Sequence, residues 1–197
     1  MNKQIKKGFT MMMILLTCSL SVIYLSCTKS DTTSTTRIKC VTCAHGGVCI
    51  NDTCVCPAGY EGSGCQTEAR NKFQGSWTAD ETGTLTAHKT YNVSISSSFG
   101  SGANVGTITL SNLHTNLYSS VTATVVHDSF YIPLQYVMDY NSRIQKIAGM
   151  GYIHSSPTMG ANGAITVRYY ATDTLARSTD DFGYMNTTSQ PSEWTKF

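Results

Sequence analysis

The pattern of hydrophobic and polar positions changes twice along the chain. Residues 9–25 form a nearly continuous apolar run, residues 28–37 are polar without periodicity, and from residue 73 short apolar stretches alternate with polar positions. In residues 91–95, for example, Tyr91, Val93 and Ile95 fall on one side of an extended chain and Asn92 and Ser94 on the other. This period of two is typical of half-buried β-strands. The pattern predicts an all-β domain over residues 71–197.

The alternating stretches predict about eight strands in that domain. They cover residues 73–78, 83–89, 91–95, 105–110, 121–127, 129–133, 146–154 and 165–169. Turn signals rich in Gly, Asn, Ser and Asp separate them, as at residues 98–102, 127–128, 139–141 and 159–163. Many short antiparallel strands must close or fold over to avoid exposed edges. We therefore expect a mainly β fold whose large domain is an antiparallel barrel, with a sandwich as the alternative.

The N-terminal apolar run has the pattern of a secretory signal segment. Lys3, Lys6 and Lys7 precede it, and the first acidic residue is Asp31. Residues 1–26 are therefore interpreted as a signal peptide, with an uncleaved membrane anchor as the alternative. Its removal leaves eleven Lys and Arg against twelve Asp and Glu. Such a balance gives no basic patch for nucleic acid.

A cysteine closes the apolar run. Tyr24, Leu25, Ser26 and Cys27 resemble a bacterial lipobox, although Tyr24 stands where leucine is usual. The resemblance implies a lipoprotein acylated at Cys27 and held at the outer membrane or cell surface. Cys18 is the other candidate for acylation. Residues 27–39 then comprise the lipidated cysteine and a flexible tether, because their polar composition cannot bury enough surface to fold.

Six further cysteines are crowded into 26 residues, and none follows them. They are Cys40, Cys43, Cys49, Cys54, Cys56 and Cys65. An even, dense set in an exported chain predicts a disulfide framework, since so short a segment cannot build a sufficient core. Six cysteines allow fifteen pairings, and spacing alone does not choose among them.

The segment 54–65 resembles the C-terminal half of an EGF-like domain. The features that match are Cys54, Cys56, Gly59, Tyr60, Gly62 and Cys65, together with Gly46 and Gly47 before Cys49. The resemblance covers roughly residues 38–67 and places an EGF-like module at residues 40–67. It implies the pairs Cys40 with Cys49, Cys43 with Cys54, and Cys56 with Cys65. We also expect two short hairpins.

No metal or cofactor is expected in the module. Exported thiols tend to pair rather than bind zinc, and His45 has no second histidine nearby. Calcium-binding members of the EGF-like family carry acidic residues before the first cysteine. Here the corresponding positions, residues 36–39, hold no carboxylate.

The start of the β domain resembles the opening Gly-x-Trp motif of lipocalin-type barrels. Gly75 and Trp77 carry the resemblance, while Thr78 departs from the bulky residue that often follows. The resemblance implies a barrel with Trp77 plugging one end. It also suggests an alternative function, that of a carrier enclosing a small apolar ligand. The interior would then be lined by Val93, Ile95, Val125, Ile165 and Val167.

Catalytic motifs are not evident in the sequence. His88, His114, His127 and His154 lie on separate segments without metal-binding spacing. Asp180 and Asp181 are expected to be solvated turn residues. We therefore predict a protein that is not an enzyme. An envelope hydrolase is the less favoured hypothesis, and it would need, for instance, His127 to lie near Asp128 or Asp181.

The clearest functional signal is a group of aromatic residues in the middle of the β domain. It comprises Phe130, Tyr131, Tyr136, Tyr140 and Tyr152, and core packing is the competing explanation. The leading hypothesis is a lipoprotein that displays a β domain on an EGF-like spacer for binding or structural scaffolding. The expected partners are the membrane, through the lipid anchor, and an envelope protein, a glycan or a small apolar ligand. The residues that contact such a partner are not predicted.

Overall fold

A computed structural model describes residues 42–97, 105–114, 117–186 and 188–197 of the chain. The signal segment, Cys18, Cys27, the tether and Cys40 lie outside the described residues. Within these ranges, two 3-10 turns, Ala44–Gly46 and Ala69–Lys72, accompany thirteen strands. The strands are β1 Val48–Ile50, β2 Thr53–Val55, β3 Tyr60–Glu61, β4 Thr67–Glu68, β5 Gly75–Glu81, β6 Lys89–Ser97, β7 Thr107–Ser111, β8 Val121–Val126, β9 Ser129–Met138, β10 Ile144–Ser156, β11 Gly160–Asp173, β12 Ser178–Phe182 and β13 Ser192–Lys196.

Within the described ranges, no helix has the length and apolarity required to cross a bilayer.

Eight strands form a closed antiparallel barrel. Each pairs with the next in the order β5, β6, β7, β8, β9, β10, β11 and β13, and β13 pairs with β5 to complete the ring. Strand β11 is long enough to serve two partners on one side, since its first half pairs with β13 and its second half with β12. The predicted β fold is confirmed. Because the sheet closes on itself, the large domain is a barrel rather than a sandwich.

The barrel interior is a packed core, because alternate residues of each strand point inward. Strand β8 shows this most plainly, with Val121, Ala123 and Val125 buried and the intervening residues exposed. The largest fully buried side chains are Trp77, Trp194, Tyr169, Phe73, Phe130 and Phe182. Gly151 leaves the space that the Phe130 ring fills, since a Cβ there would lie 2.3 Å from that ring.

The two ends of the barrel differ in what lies beside them. The module end is the end at which β5 begins and β8 and β13 finish. The far end is the one at which β5 and β9 finish and β13 begins. At the module end, Trp77 is buried and its indole N–H donates to the carbonyl of Phe73 at 2.7 Å. Phe73 in turn packs edge-on against Phe130. This placement agrees with the plug expected of Trp77.

The prediction that residues 83–89 form a strand was wrong. Residues 82–88 form a loop, and β6 begins only at Lys89. The loop lies along β12, where the amide of Thr84 donates to the carbonyl of Asp181 and that of Leu85 to the Asp180 carboxylate. Strands β12 and β13 were not predicted, and β9, β10 and β11 are longer than expected.

Residues 42–68, here termed the cysteine-rich module, contain the two expected hairpins, β1 with β2 and β3 with β4. Disulfides join Cys43 to Cys54 and Cys56 to Cys65, as predicted. Cys49 is also disulfide-bonded, and its predicted partner Cys40 lies outside the described residues. The ring of Tyr60 stacks on that of His45 with centroids 4.0 Å apart, giving this small unit an aromatic centre.

The cysteine-rich module packs directly on the module end of the barrel. The amide of Ala69 donates to the carbonyl of Gly59 at 2.9 Å. Gly59 approaches the turn before β7 so closely that a Cβ would lie 2.6 Å from Val105. The Lys72 ammonium bridges Glu61 of the module, at 2.7 Å, and Asp128 of the β8–β9 turn, at 2.6 Å. These contacts hold the module against the barrel rather than leaving it on a free linker.

Candidate functional site

A buried polar network closes the far end of the barrel. The side chain of Glu81, at the end of β5, is only 3% exposed. Its carboxylate accepts hydrogen bonds from the hydroxyls of Tyr91 at 2.7 Å, Tyr169 at 3.0 Å and Ser192 at 2.8 Å. The indole N–H of Trp194 donates to the Ser192 hydroxyl. Every donor to Glu81 therefore comes from the barrel wall itself.

Burial controls the protonation of this network. Desolvation raises the pKa of Glu81 above its ordinary value, and the hydrogen bonds from Tyr91, Ser192 and Tyr169 only partly oppose that effect. Burial also raises the pKa of the Tyr91 and Tyr169 hydroxyls, and the neighbouring Glu81 charge adds to it. Both tyrosines consequently remain neutral donors.

A histidine and an aspartate lie beside the network. The Nε2 atom of His114 is 3.3 Å from the Asp180 carboxylate, and the ring packs edge-on against Tyr169 and Phe182. Burial opposes ionisation of Asp180. Hydrogen bonds from His114, Thr86 and Leu85 outweigh that effect and lower its pKa to about 2. The Nδ1 atom of His114 is buried without a hydrogen-bond partner.

This far-end network has the residue types of a catalytic site but the geometry of a structural plug. The Glu81 carboxylate is almost fully buried and is already bonded to three hydroxyls. Asp180 is held by the amides of Leu85 and Thr86 as well as by His114. Carboxylates bonded in this way stabilise a closed end, and substrate would have to displace those bonds to reach them.

The structure separates His127 from Asp181, one of the two aspartates that the hydrolase hypothesis placed near it, whereas the other, Asp128, is its neighbour in sequence. His127 and Asp128 lie in the β8–β9 turn at the module end, where Asp128 pairs with Lys72. Asp181 lies in β12 at the far end. The expectation that Asp180 and Asp181 are solvated turn residues was wrong, because they are 6% and 5% exposed within a strand. Asp181 accepts the amides of the turn that follows, including those of Tyr184 and Met185.

Among the described residues, no group of three or more His, Cys, Asp or Glu side chains is arranged to hold a metal ion.

Two clefts lie on the outside of the barrel. One, of about 600 Å³, runs between the cysteine-rich module and the β8–β9 hairpin, with Val55, Pro57, Tyr60 and Val126 among its lining. The other, of about 430 Å³, lies over β5 and β13 and is lined mostly by polar side chains such as Asp80, Thr90 and Glu193. Glu61 and His127 also line the first cleft, and Glu61 is paired there with Lys72.

An aromatic and aliphatic surface covers the outside of β9 and β10. Its members, here termed the tyrosine face, are Tyr118, Tyr131, Leu134, Tyr136, Met138, Tyr140, Ile144, Met150 and Tyr152, which are 37% to 70% exposed. Soluble proteins rarely leave so many large apolar side chains together in water unless they contact something. The tyrosine face is therefore the strongest candidate for a functional site.

Strand pairing makes the tyrosine face continuous. Tyr131 lies opposite Met150, and Met138 lies opposite Ile144. At the far end, the amide of Tyr118 donates to the carbonyl of Met138, which brings the Tyr118 ring to 5.7 Å from that of Tyr140. Antiparallel neighbours lie close enough for their side chains to form one surface. The exposed groups consequently form a single patch, densest at the far end.

The opposite wall of the barrel is polar. Its outward residues, here termed the polar face, are Thr78 and Asp80 of β5, Thr90 and Asn92 of β6, and Glu193 and Thr195 of β13. The described outward positions of β5, β6 and β13 carry no large apolar side chain. The apolar exposure is therefore a property of one wall of the barrel.

The aromatic group predicted from the sequence divides between core and surface. Phe130 is fully buried, whereas Tyr131, Tyr136, Tyr140 and Tyr152 are on the tyrosine face. Five members of the face were not predicted from the sequence: Tyr118, Leu134, Met138, Ile144 and Met150. The signal for Met138 was present, since β9 carries apolar residues on both of its sides although only one side of a barrel strand faces the core.

Comparison of the chain with protein-family models and with curated proteins finds no match in either set.

Proposed function

We propose that this chain is an exported, non-enzymatic lipoprotein that uses its β-barrel to bind a macromolecule at the cell envelope. In this proposal residues 1–26 direct export, Cys27 carries the lipid, residues 28–39 are the tether, and an EGF-like module joins the tether to the barrel. The tyrosine face is the observation that carries the proposal, because its apolar exposure has no role in the barrel's own core.

The attachment of the cysteine-rich module supports this arrangement. Through Lys72 and Gly59 the module rests against the module end, while the densest part of the tyrosine face is at the far end. A lipid attached upstream of residue 42 would hold the molecule by its module end. The proposed spacer would then present the far end toward a partner.

Envelope binding tests the proposal. The exported chain is purified with Cys27→Ala, so that no lipid contributes, and its binding to isolated cell envelopes is measured. We expect saturable binding that falls at least about tenfold when Tyr136→Ser and Met138→Ser are combined, since central interface residues carry most of the binding energy. The matched control, Thr90→Ser with Thr195→Ser on the polar face, should bind as the parent does. Equal binding by both pairs would refute a role for the tyrosine face.

Lipid attachment has its own test. Cells that produce the chain are labelled with radioactive palmitate, and Cys27→Ala should abolish incorporation whereas Cys18→Ala should not. Undiminished labelling of the Cys27→Ala chain would rule out acylation at that position.

A carrier of a small apolar ligand is the second candidate, because the closed eight-stranded barrel is compatible with it. The residues expected to line a cavity, Val93, Ile95, Val125, Ile165 and Val167, are all buried in the core. They share that core with Trp77, Trp194 and Phe130, which favours binding on the outer surface instead. Saturable quenching of tryptophan fluorescence by a fluorescent fatty acid would favour the carrier.

A further inference from the structure

We infer that the tyrosine face binds a protein whose contact surface is apolar at its centre and carries carboxylates at its rim. This inference rests on the proposed function and specifies the partner of the same surface. Its support comes from the charges, the polar groups and the position of the face, each of which is a separate observation.

Two cations beside the tyrosine face have no carboxylate partner among the described residues. Lys146, on β10 opposite Tyr136, makes no ion pair within the described part of the chain. Arg168, on β11 opposite Met150, donates to the carbonyl of Gly183 rather than to a carboxylate. The described outward positions of β8, β9 and β10 hold no Asp or Glu. A surface that offers cations alone is complementary to carboxylates on a partner.

The carboxylates around the face are bonded within the chain. Near Tyr152, Asp128 pairs with Lys72, and Glu193 accepts from the Thr166 hydroxyl. Asp139 accepts the amides of Asn141 and Arg143 and the side chain of Gln145. Asp173 pairs with the Arg143 guanidinium at 2.9 Å. Asp173 also accepts the amide of Ala176, which together with Arg143 lowers its pKa, and the bonds to Asp139 lower the pKa of that carboxyl against the effect of burial. Both acids therefore stay ionised and bonded within the chain. None of these carboxylates pairs with Lys146 or Arg168, so both cations are available to carboxylates of a partner.

The polar groups of the face favour a protein over a glycan. The amide side chain of Gln135 is bonded through both of its polar atoms to the backbone of Thr122, at 3.0 and 2.8 Å. Gln145 is engaged by Asp139. These two amides, which lie opposite the buried residues Ile147 and Val137, are therefore not free for directed bonds to a sugar, and the tyrosine hydroxyls are the main neutral polar groups that the face exposes. Tyrosine and methionine with arginine, in the absence of acidic residues, form instead the composition that is enriched in protein interfaces.

The position of the face argues against a bilayer as its partner. Tyr118, Tyr136, Met138 and Tyr140 are at the far end, and β9 alone spans roughly 30 Å at about 3.3 Å per residue. The chain enters through the cysteine-rich module at the opposite end. An anchored molecule would therefore hold the densest part of the face away from its own membrane.

Site-specific crosslinking in intact cells tests the inference on the full chain. The photoreactive residue p-benzoylphenylalanine, which attacks C–H bonds of proteins, lipids and glycans, replaces Tyr136 or Tyr152 on the tyrosine face. Thr90 and Thr195 on the polar face are the matched control positions. We expect both tyrosine positions to yield one and the same protein adduct, identified by mass spectrometry, and both control positions to yield none.

The charge prediction is tested on the same adduct. Lys146→Glu should reduce its yield about tenfold, and Lys146→Arg should restore it, because a charge reversal places like charges at the contact. An adduct indifferent to Lys146→Glu would overturn the carboxylate rim. Adducts with lipid or glycan at the tyrosine positions would overturn the protein partner while leaving the binding function intact. Equal yields on the two faces, or none on either, would overturn both.

Discussion

The two ends of the barrel are closed by opposite chemistry. At the module end Trp77, Phe73 and Phe130 form an apolar plug under the cysteine-rich module. At the far end the Glu81 carboxylate accepts hydrogen bonds from three hydroxyl groups, one each on β6, β11 and β13. An apolar plug gains stability from each methylene it buries, whereas a polar plug is stable only while every member keeps its partner. We therefore expect different changes to lower the stability of the two ends.

Removing the apolar plug should have the largest effect. Trp77→Ala deletes a fully buried indole and leaves a cavity, so we expect the free energy of unfolding to fall by about 3–5 kcal/mol. Denaturant unfolding followed by circular dichroism measures the change. Tyr118→Ala, which truncates a ring that is 70% exposed, is the control and should lose no more than about 0.5 kcal/mol. Similar losses in both variants would contradict the assignment of Trp77 as the plug.

Removing the disulfide between Cys56 and Cys65 should lower the free energy of unfolding somewhat less than Trp77→Ala does. Cys56→Ser with Cys65→Ser removes a crosslink that closes a short loop, and we expect about 2–4 kcal/mol of lost stability. Proteolysis should then cut within residues 42–68 before it cuts the barrel. Earlier cutting in the barrel would show that the cysteine-rich module is not the weaker unit.

The polar plug should respond to protonation as well as to truncation. Glu81→Gln replaces an oxygen acceptor with a donor facing three hydroxyls, for an expected loss of about 1–3 kcal/mol. Burial raises the pKa of Glu81 above 4.5, so its contribution to stability is full below pH 4.5 and decreases as the pH rises through the folded-state pKa. Glu81→Gln should remove that decrease, and the exposed control Glu193→Gln should retain it.

Asp180 should give the opposite pH dependence at the same end. Its pKa is lowered to about 2 against an ordinary 3.8, chiefly by His114, Thr86 and Leu85 acting against burial. Its contribution is therefore present above pH 3.8 and is lost as the pH falls toward 2. Thermal unfolding of Asp180→Asn should show a shallower acid decline than the parent, and an unchanged decline would exclude this carboxylate as its source.

The smallest effect is expected where the cysteine-rich module meets the barrel. Lys72→Met keeps the buried stem but removes the ion pairs to Glu61 and Asp128, which should cost about 1 kcal/mol or less. A double-mutant cycle with Asp128→Asn measures the coupling, which should shrink at high salt. Coupling that is independent of salt would point to packing rather than charge.

The parts of this architecture that could be predicted are those signalled by residues close together in the sequence. The alternation of apolar and polar residues predicted most of the barrel strands, and the crowded cysteine segment predicted the two hairpins. Both signals depend only on residues that are close together in the sequence. The loop at residues 82–88 was mistaken for a strand, and β12 was missed because Asp180 and Asp181 have turn-forming side chains. Their burial depends on His114 and on the amides of Thr84 and Leu85, which are distant in sequence. Glu81 was missed for the same reason.

The tyrosine face was only half predictable. Its tyrosines were noticed, but composition alone could not separate Phe130 in the core from Tyr131 beside it on the surface. The strand register makes that distinction, because one residue of offset exchanges the inner and outer sides.

The pairing of β13 with β5 also fixes the order in which the molecule can be completed. Trp77 lies opposite Lys196, 119 positions later in the sequence. A growing chain can form the hairpins from β5 to β11 as they emerge, yet β5 keeps an unpaired edge until the last strand is available. Contacts between such distant residues are formed slowly. Strand β13 therefore closes the ring, and a chain without residues 192–197 would keep an open seam between β5 and β11.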